Sequence, residues 1–182
     1  MPAPTVTSRE TWIDAGLAAL GDGGPDAVRV DALAQALGVT RGGFYHQFAS
    51  RPVFLEALLD TWERRSTHEV MERVEREGGD ARTKARKAGM LTFSDALLPI
   101  DLAVRNWSRS DATVAERLRR VDNRRMEYLR TLIGTFCDDA DDVEARALLA
   151  FSLAIGNHFV AADHDGRSRA QVLRRATARL LD

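Results

Sequence analysis

The sequence predicts an all-α chain of about nine helices, with an amino-terminal helix-turn-helix followed by a larger helical remainder. Three observations carry this expectation. Apolar side chains recur at helical spacing through most of the 182 residues. No stretch alternates with a period of two, so no sheet is expected. Near the amino terminus, two short apolar-faced segments are joined by the tight turn Gly38-Val39-Thr40.

The first helix is expected over residues 8–20. Thr7 and Glu10 stand in capping-box spacing, and Trp12, Ile13, Gly16, Leu17 and Leu20 share one side. The run Gly21-Asp22-Gly23-Gly24-Pro25 breaks it. Val30, Leu33, Ala34 and Leu37 then follow at the spacing of a short amphipathic helix. Gly38 sits where a left-handed cap residue belongs, and Val39 plugs the turn. Thr40 is placed to cap a third helix, on which Phe44 and Phe48 share a face one turn apart. Ser50 caps a fourth helix, with Pro52 tolerated in its first turn. It reads as continuous through Trp62 to Glu77, where Gly78-Gly79 stops it. Further helices are expected over residues 81–94, 98–109, 112–136, 143–158 and 168–181, with the acidic stretch Asp138–Asp142 as a linker. The natural division is a domain over residues 1–52 and a second over 53–182.

Composition excludes several classes of function. Apolar runs fall far short of the roughly 20 residues that span a bilayer. The opening eight residues have neither the apolar core nor the basic cluster of a signal peptide, so a cytoplasmic location is expected. Cys137 is the single cysteine, which rules out an intramolecular disulfide; a bystander thiol and a redox sensor both remain open. Asp138, Asp139, Asp141 and Asp142 lack the glycine and terminal glutamate of a calcium loop. There is no Gly-x-Ser-x-Gly, no phosphate loop and no His-Glu-x-x-His. No catalytic residue, metal or cofactor is therefore expected. Formal net charge is −1, and residues 1–60 hold four basic side chains (Arg9, Arg29, Arg41, Arg51) against seven acidic ones. Bulk charge would not draw this chain to nucleic acid; a few placed groups would have to do so.

The segment from Val30 to Arg51, VDALAQALGVTRGGFYHQFASR, resembles the DNA-binding motif of the tetracycline-repressor family. In that family a hydrophobic helix, Gly-Val-Ser/Thr, a recognition helix ending in Tyr-x-His-Phe and a basic residue follow in this order. The strong match covers residues 8–60. Two positions depart from the pattern. Gln47 replaces the usual histidine, and Arg29 stands where a threonine often caps the second helix. The resemblance implies a transcriptional regulator that binds a palindromic operator in double-stranded DNA as a homodimer, without contact with membrane. It further implies a repressor released by a small-molecule effector of unknown identity. An activator would use the same residues, and a helical interaction module with a structural helix-turn-helix remains the alternative.

The residues support this reading on their own chemistry. With Phe44 and Phe48 buried, Gly42 and His46 turn outward, flanked by Gly43 and Tyr45. The paired glycines suit either close approach of backbone to DNA or a tight neighbouring helix. Arg41 can reach a guanine edge or a phosphate. Thr40, Tyr45, Gln47, Arg29 and Arg51 can donate to phosphates. In the remainder, Trp62, Phe93, Leu97, Arg105, Trp107 and His158 are candidates for an effector pocket. Ala147, Ala150 and Ala154 form a small-residue stripe beside Phe151 and Leu148. With Leu173 and Leu180 on the last helix, they are candidates for the dimer interface the resemblance implies, although a buried intramolecular contact would look the same.

Overall fold

In a computed structural model that describes residues 7–181, the regular structure of the described residues is all helical, with no strand. The elements are α1 (Arg9–Gly23), a short 3-10 turn (Pro25–Ala27), α2 (Val30–Ala36), α3 (Arg41–Tyr45), α4 (Arg51–Ser66), α5 (His68–Glu77), α6 (Ala81–Thr92), α7 (Leu98–Trp107), α8 (Ala112–Ile133), α9 (Ala140–Gly156) and α10 (Arg169–Leu181). The all-α expectation therefore holds.

Local chemistry explains where the boundaries moved. The cap of α1 is Ser8 rather than Thr7: its Oγ accepts the Thr11 N–H at 3.1 Å. The helix runs three residues past Leu20 and stops only at Gly24, whose φ of 70° suits a residue without Cβ. Gly38, at φ 66°, ends the second helical segment as expected, and the Val39 N–H turns back to the Ala34 carbonyl at 3.0 Å. Thr40 is extended at the head of α3, but its hydroxyl makes no capping bond. Ser50 does cap α4, with its Oγ accepting the Val53 N–H at 3.4 Å. The helix read as continuous to Glu77 is broken at Thr67, whose φ of −124° and ψ of −76° lie outside the helical region, and both Ser66 and Thr67 are buried there. The acidic stretch is only partly a linker. Asp139 caps α9 by accepting the N–H groups of Asp141 and Asp142, so the helix begins at Ala140.

The chain packs as two compact units, one of residues up to 66 with 95–119, the other of 67–94 with 120–182. The core of the first is aromatic. Phe44 meets Trp12 edge-on at 5.4 Å and Phe54 at 5.2 Å, while Phe48 lies 4.6 Å from Phe54. All four rings are buried, so α1, α3 and α4 are locked by one cluster. Packing of α1 against α7 extends it through Leu17, Leu20, Ile100 and Val104. In the second unit Ala85, Met126, Leu132, Ile133, Ala147 and Leu181 form the core, with Phe136 and Phe151 packed on it.

Candidate nucleic-acid interface

The aromatic cluster fixes the helix-turn-helix by its inner face, which leaves the outer face free. Phe44 and Phe48 point inward, whereas Thr40, Arg41, Gly42, Tyr45 and His46 are exposed, with Gly43 and Gln47 half-buried. Tyr45 is 52% exposed and rests its ring edge on Phe44 at 5.2 Å. A Cβ added at Gly42 would meet nothing nearer than 3.6 Å, and one at Gly43 nothing nearer than 3.9 Å. No neighbouring helix requires either glycine, so the packing explanation for the pair falls away.

Arg41 is not a loose cation. Its Nε lies 2.9 Å from Oδ1 of Asp31 on α2, and Tyr45 stands one turn along the same helix. Tyr45 first, and then the Asp31 charge, hold the guanidinium above the ordinary arginine range. Arg29 is exposed at the start of α2, where it supplies no side-chain cap.

Two expected phosphate donors are turned to other work. Arg51 donates through Nε to the Val28 carbonyl at 2.8 Å and through Nη2 to the Pro25 carbonyl. Those carbonyls belong to the link between α1 and α2, so the guanidinium ties that link to the head of α4. The Pro25 carbonyl also accepts the Val28 N–H at 3.2 Å, so the guanidinium adds a second donor to it. Gln47 donates to the Thr7 carbonyl at 3.3 Å. The sequence reading also passed over Arg9, whose guanidinium stacks on the Phe48 ring at 4.7 Å, and Asp31. Only the spacing of Asp31 to Arg41 across the turn could have pointed to the second.

The expected effector residues are divided between the two units. Trp62 (fully buried), Leu97, Arg105 and Trp107 lie in the first, Phe93 and His158 in the second. Arg105 is committed to the buried Asp101, Nε to Oδ2 2.7 Å, an ion pair that holds two successive turns of α7 together. Phe93 and His158 do come together, with ring centroids 6.2 Å apart. Phe151 lies 6.4 Å from Phe93 and the Arg125 guanidinium 5.7 Å from it. Among the expected interface residues, Ala147 needs correction. It is fully enclosed by its own unit's core and can touch no second molecule. Phe151 likewise packs partly on that core. The outward face of α9 carries Leu148, as expected beside the stripe, and Leu149, followed by exposed Phe159 and Val160. Between α9 and α10 lies an open groove of about 1280 Å³, lined by Leu149, Leu153, Gly156, Val160, Leu173 and Leu180 among others.

The Cys137 thiol donates to Oδ2 of Asp142 at 3.3 Å. Burial first, and then the hydrogen bond to Asp142, push it above the ordinary range, so the reactive thiolate is disfavoured. Among the described residues no cluster of His, Cys, Asp or Glu could hold a metal ion, and no helix is long and apolar enough to cross a membrane.

An all-helical fold with an amino-terminal helix-turn-helix and an exposed polar row on its second helix defines the class. Residues 13–58 match the family model of bacterial regulatory proteins, tetR family. No curated protein matches the chain significantly. Among solved structures, a TetR transcriptional regulator from Legionella pneumophila superposes with TM-score 0.79 at 14% identity, covering 99% of this chain and 100% of that one. AibR, solved with isovaleryl coenzyme A and operator DNA, superposes with TM-score 0.68 at 12% identity (95% and 97% covered). The superantigen PfiT does so with TM-score 0.70 at 14% identity (100% and 98% covered). Residues 13–58 are thus similar to the tetR-family helix-turn-helix, and the fold of the chain is that of these solved structures.

Proposed function

We propose that this protein is a DNA-binding transcriptional regulator that reads a palindromic operator as a homodimer, and a repressor released by a small-molecule effector. The observation that carries the reading is the exposed row Thr40, Arg41, Tyr45 and His46 on a family-matching helix-turn-helix whose inner face is locked by four buried rings. Residues 1–52 form the DNA-binding domain and 53–182 the effector-binding and dimerisation domain. Arg41 reads a base edge, while Thr40, Tyr45 and Arg29 donate to phosphates. Gly42 and Gly43 let the backbone approach the duplex. Half-sites lie about 34–36 Å apart or a multiple of this. That AibR was solved with an acyl coenzyme A and operator DNA supports an effector-linked mechanism on the same fold. An effector would act by its differential affinity for DNA-competent and incompetent states. Phe93 and His158, which meet in the second unit, are the first residues to probe for it.

The homodimer rests on the apolar surface of α9 and α10. Exposed Leu148, Leu149, Phe159 and Val160 adjoin a groove that reaches Leu173 and Leu180. A contiguous apolar surface of this kind is covered in a stable protein, and a two-fold axis lets one patch cover itself. Ala150 and Ala154, half-buried on α9, allow close approach of a second helix. Leu149→Asp should yield a monomer in sedimentation; a dimer of unchanged stability would place the interface elsewhere.

The deciding experiment is fluorescence anisotropy against DNA upstream of the protein's own gene over a range of salt, with selection from random fragments in parallel. Tight, salt-dependent and sequence-selective binding is the expected result. The net acidic charge of residues 1–60 favours the alternative of an interaction module with a structural helix-turn-helix. Absence of selected DNA would establish that alternative over the regulator.

A further inference from the structure

We propose that Asp31 is a specificity-determining residue of the DNA-reading surface, holding the Arg41 side chain by its Nε so that the guanidinium meets a base in one fixed pose. The inference rests on the regulator reading above and deepens it. Arg41 opens α3 and is more than half exposed, as is Asp31. A lone arginine at such a place would sample many rotamers and would have to be ordered on binding, at a cost in side-chain entropy. Here it is braced across the turn from another helix, by Asp31 in the first turn of α2. The ion pair engages Nε, the nitrogen that a bidentate guanine contact does not need when it uses the Nη pair. The carboxylate therefore orients the reading group without occupying its terminal edge.

Asp31 also has a cost that makes its role measurable. A carboxylate beside the duplex repels phosphates and lowers affinity for every sequence alike. Its two effects separate by experiment: the charge acts on all DNA, the bracing only where Arg41 reads. A residue that was merely an exposed surface charge would show the first effect alone.

The test compares wild type, Asp31→Ala and Asp31→Asn. Operator sequences are first selected from random duplexes with wild-type protein, and then every single-base-pair variant is competed in anisotropy at two salt concentrations. Asp31→Asn removes the charge but keeps an acceptor oxygen for Nε; circular dichroism and melting check that all three fold. Both variants should bind all DNA more tightly than wild type. Asp31→Ala should also lose about fivefold or more of the preference at the position that Arg41→Ala flattens, whereas Asp31→Asn keeps most of it. Retention of that preference in Asp31→Ala overturns the proposal and leaves Asp31 a surface charge. Failure of the regulator reading itself would be seen earlier and separately, as wild type selecting no sequence at all.

Discussion

A Cβ placed on Gly16 of α1 would stand 2.5 Å from Cζ of Phe54 on α4. The two helices therefore cross at a distance that only glycine permits, and the Phe54 ring fills the space where a side chain would be. Phe54 is also the ring that meets both Phe44 and Phe48, so this crossing positions α3 as well.

Gly16→Ala is accordingly expected to destabilise the protein by about 1–3 kcal/mol, the usual cost of overpacking, despite the better helix propensity of alanine. Thermal melting checks this. An unchanged or raised Tm would mean that Phe54 can move aside at no cost.

Arg51→Ala should lower stability by about 1–3 kcal/mol, since two charge-assisted bonds to the Pro25 and Val28 carbonyls are lost from a half-exposed site. Arg51→Lys should recover little, because an ammonium lacks the planar fork that reaches both carbonyls. Denaturant melts of the three proteins decide it. Full stability in Arg51→Ala, with a reduced salt slope of DNA binding, would return this residue to the phosphates.

Gly42→Ala should do the reverse. An added methyl meets no obstacle, so α3 gains up to about 1 kcal/mol of helix propensity. If the glycine serves the approach of backbone to DNA, the same variant binds its operator about fivefold or more weakly, a loss of about 1 kcal/mol or more. A stabilised variant with unchanged affinity would remove Gly42 from the interface.

The second unit should lose stability in acid through Glu75. Its carboxylate accepts from the Lys84 ammonium and from the Tyr128 hydroxyl at 2.7 Å. Lys84 first, and then Tyr128, hold it below its ordinary value of 4.5. The folded value is thus lower than the unfolded one. The contribution is complete above pH 4.5 and fades as pH falls through the lower folded value. Glu75→Gln should flatten that part of the Tm–pH curve; an identical curve would show that the exposed pair carries no net stability.

Periodicity and cap chemistry made most of the helices legible, because spacing of apolar residues and the turn preferences of glycine act locally. The helix-turn-helix was readable for the same reason: Leu33, Ala34, Gly38, Val39 and Phe44 interact over a few residues of chain. The break at Thr67 was not, since nothing in the apolar pattern of α4 and α5 marks the one residue that leaves the helix.

What the sequence by itself determined is the all-α class, the helix-turn-helix and the outward row from Thr40 to His46. Those follow from a 3.6-residue period and from which positions must be apolar. What only the tertiary structure decided is how the polar groups are used. Arg51 and Gln47 look like donors to phosphate, yet one ties down the link between α1 and α2 and the other takes the Thr7 carbonyl. Ala147 belongs to the small-residue stripe of α9 but is enclosed by its own core. Arg41 is held by Asp31 across the turn. Hydrogen bonds and ion pairs between residues distant in sequence depend on where helices cross, and the crossing is set by packing such as that of Gly16 on Phe54. No local pattern encodes that distance.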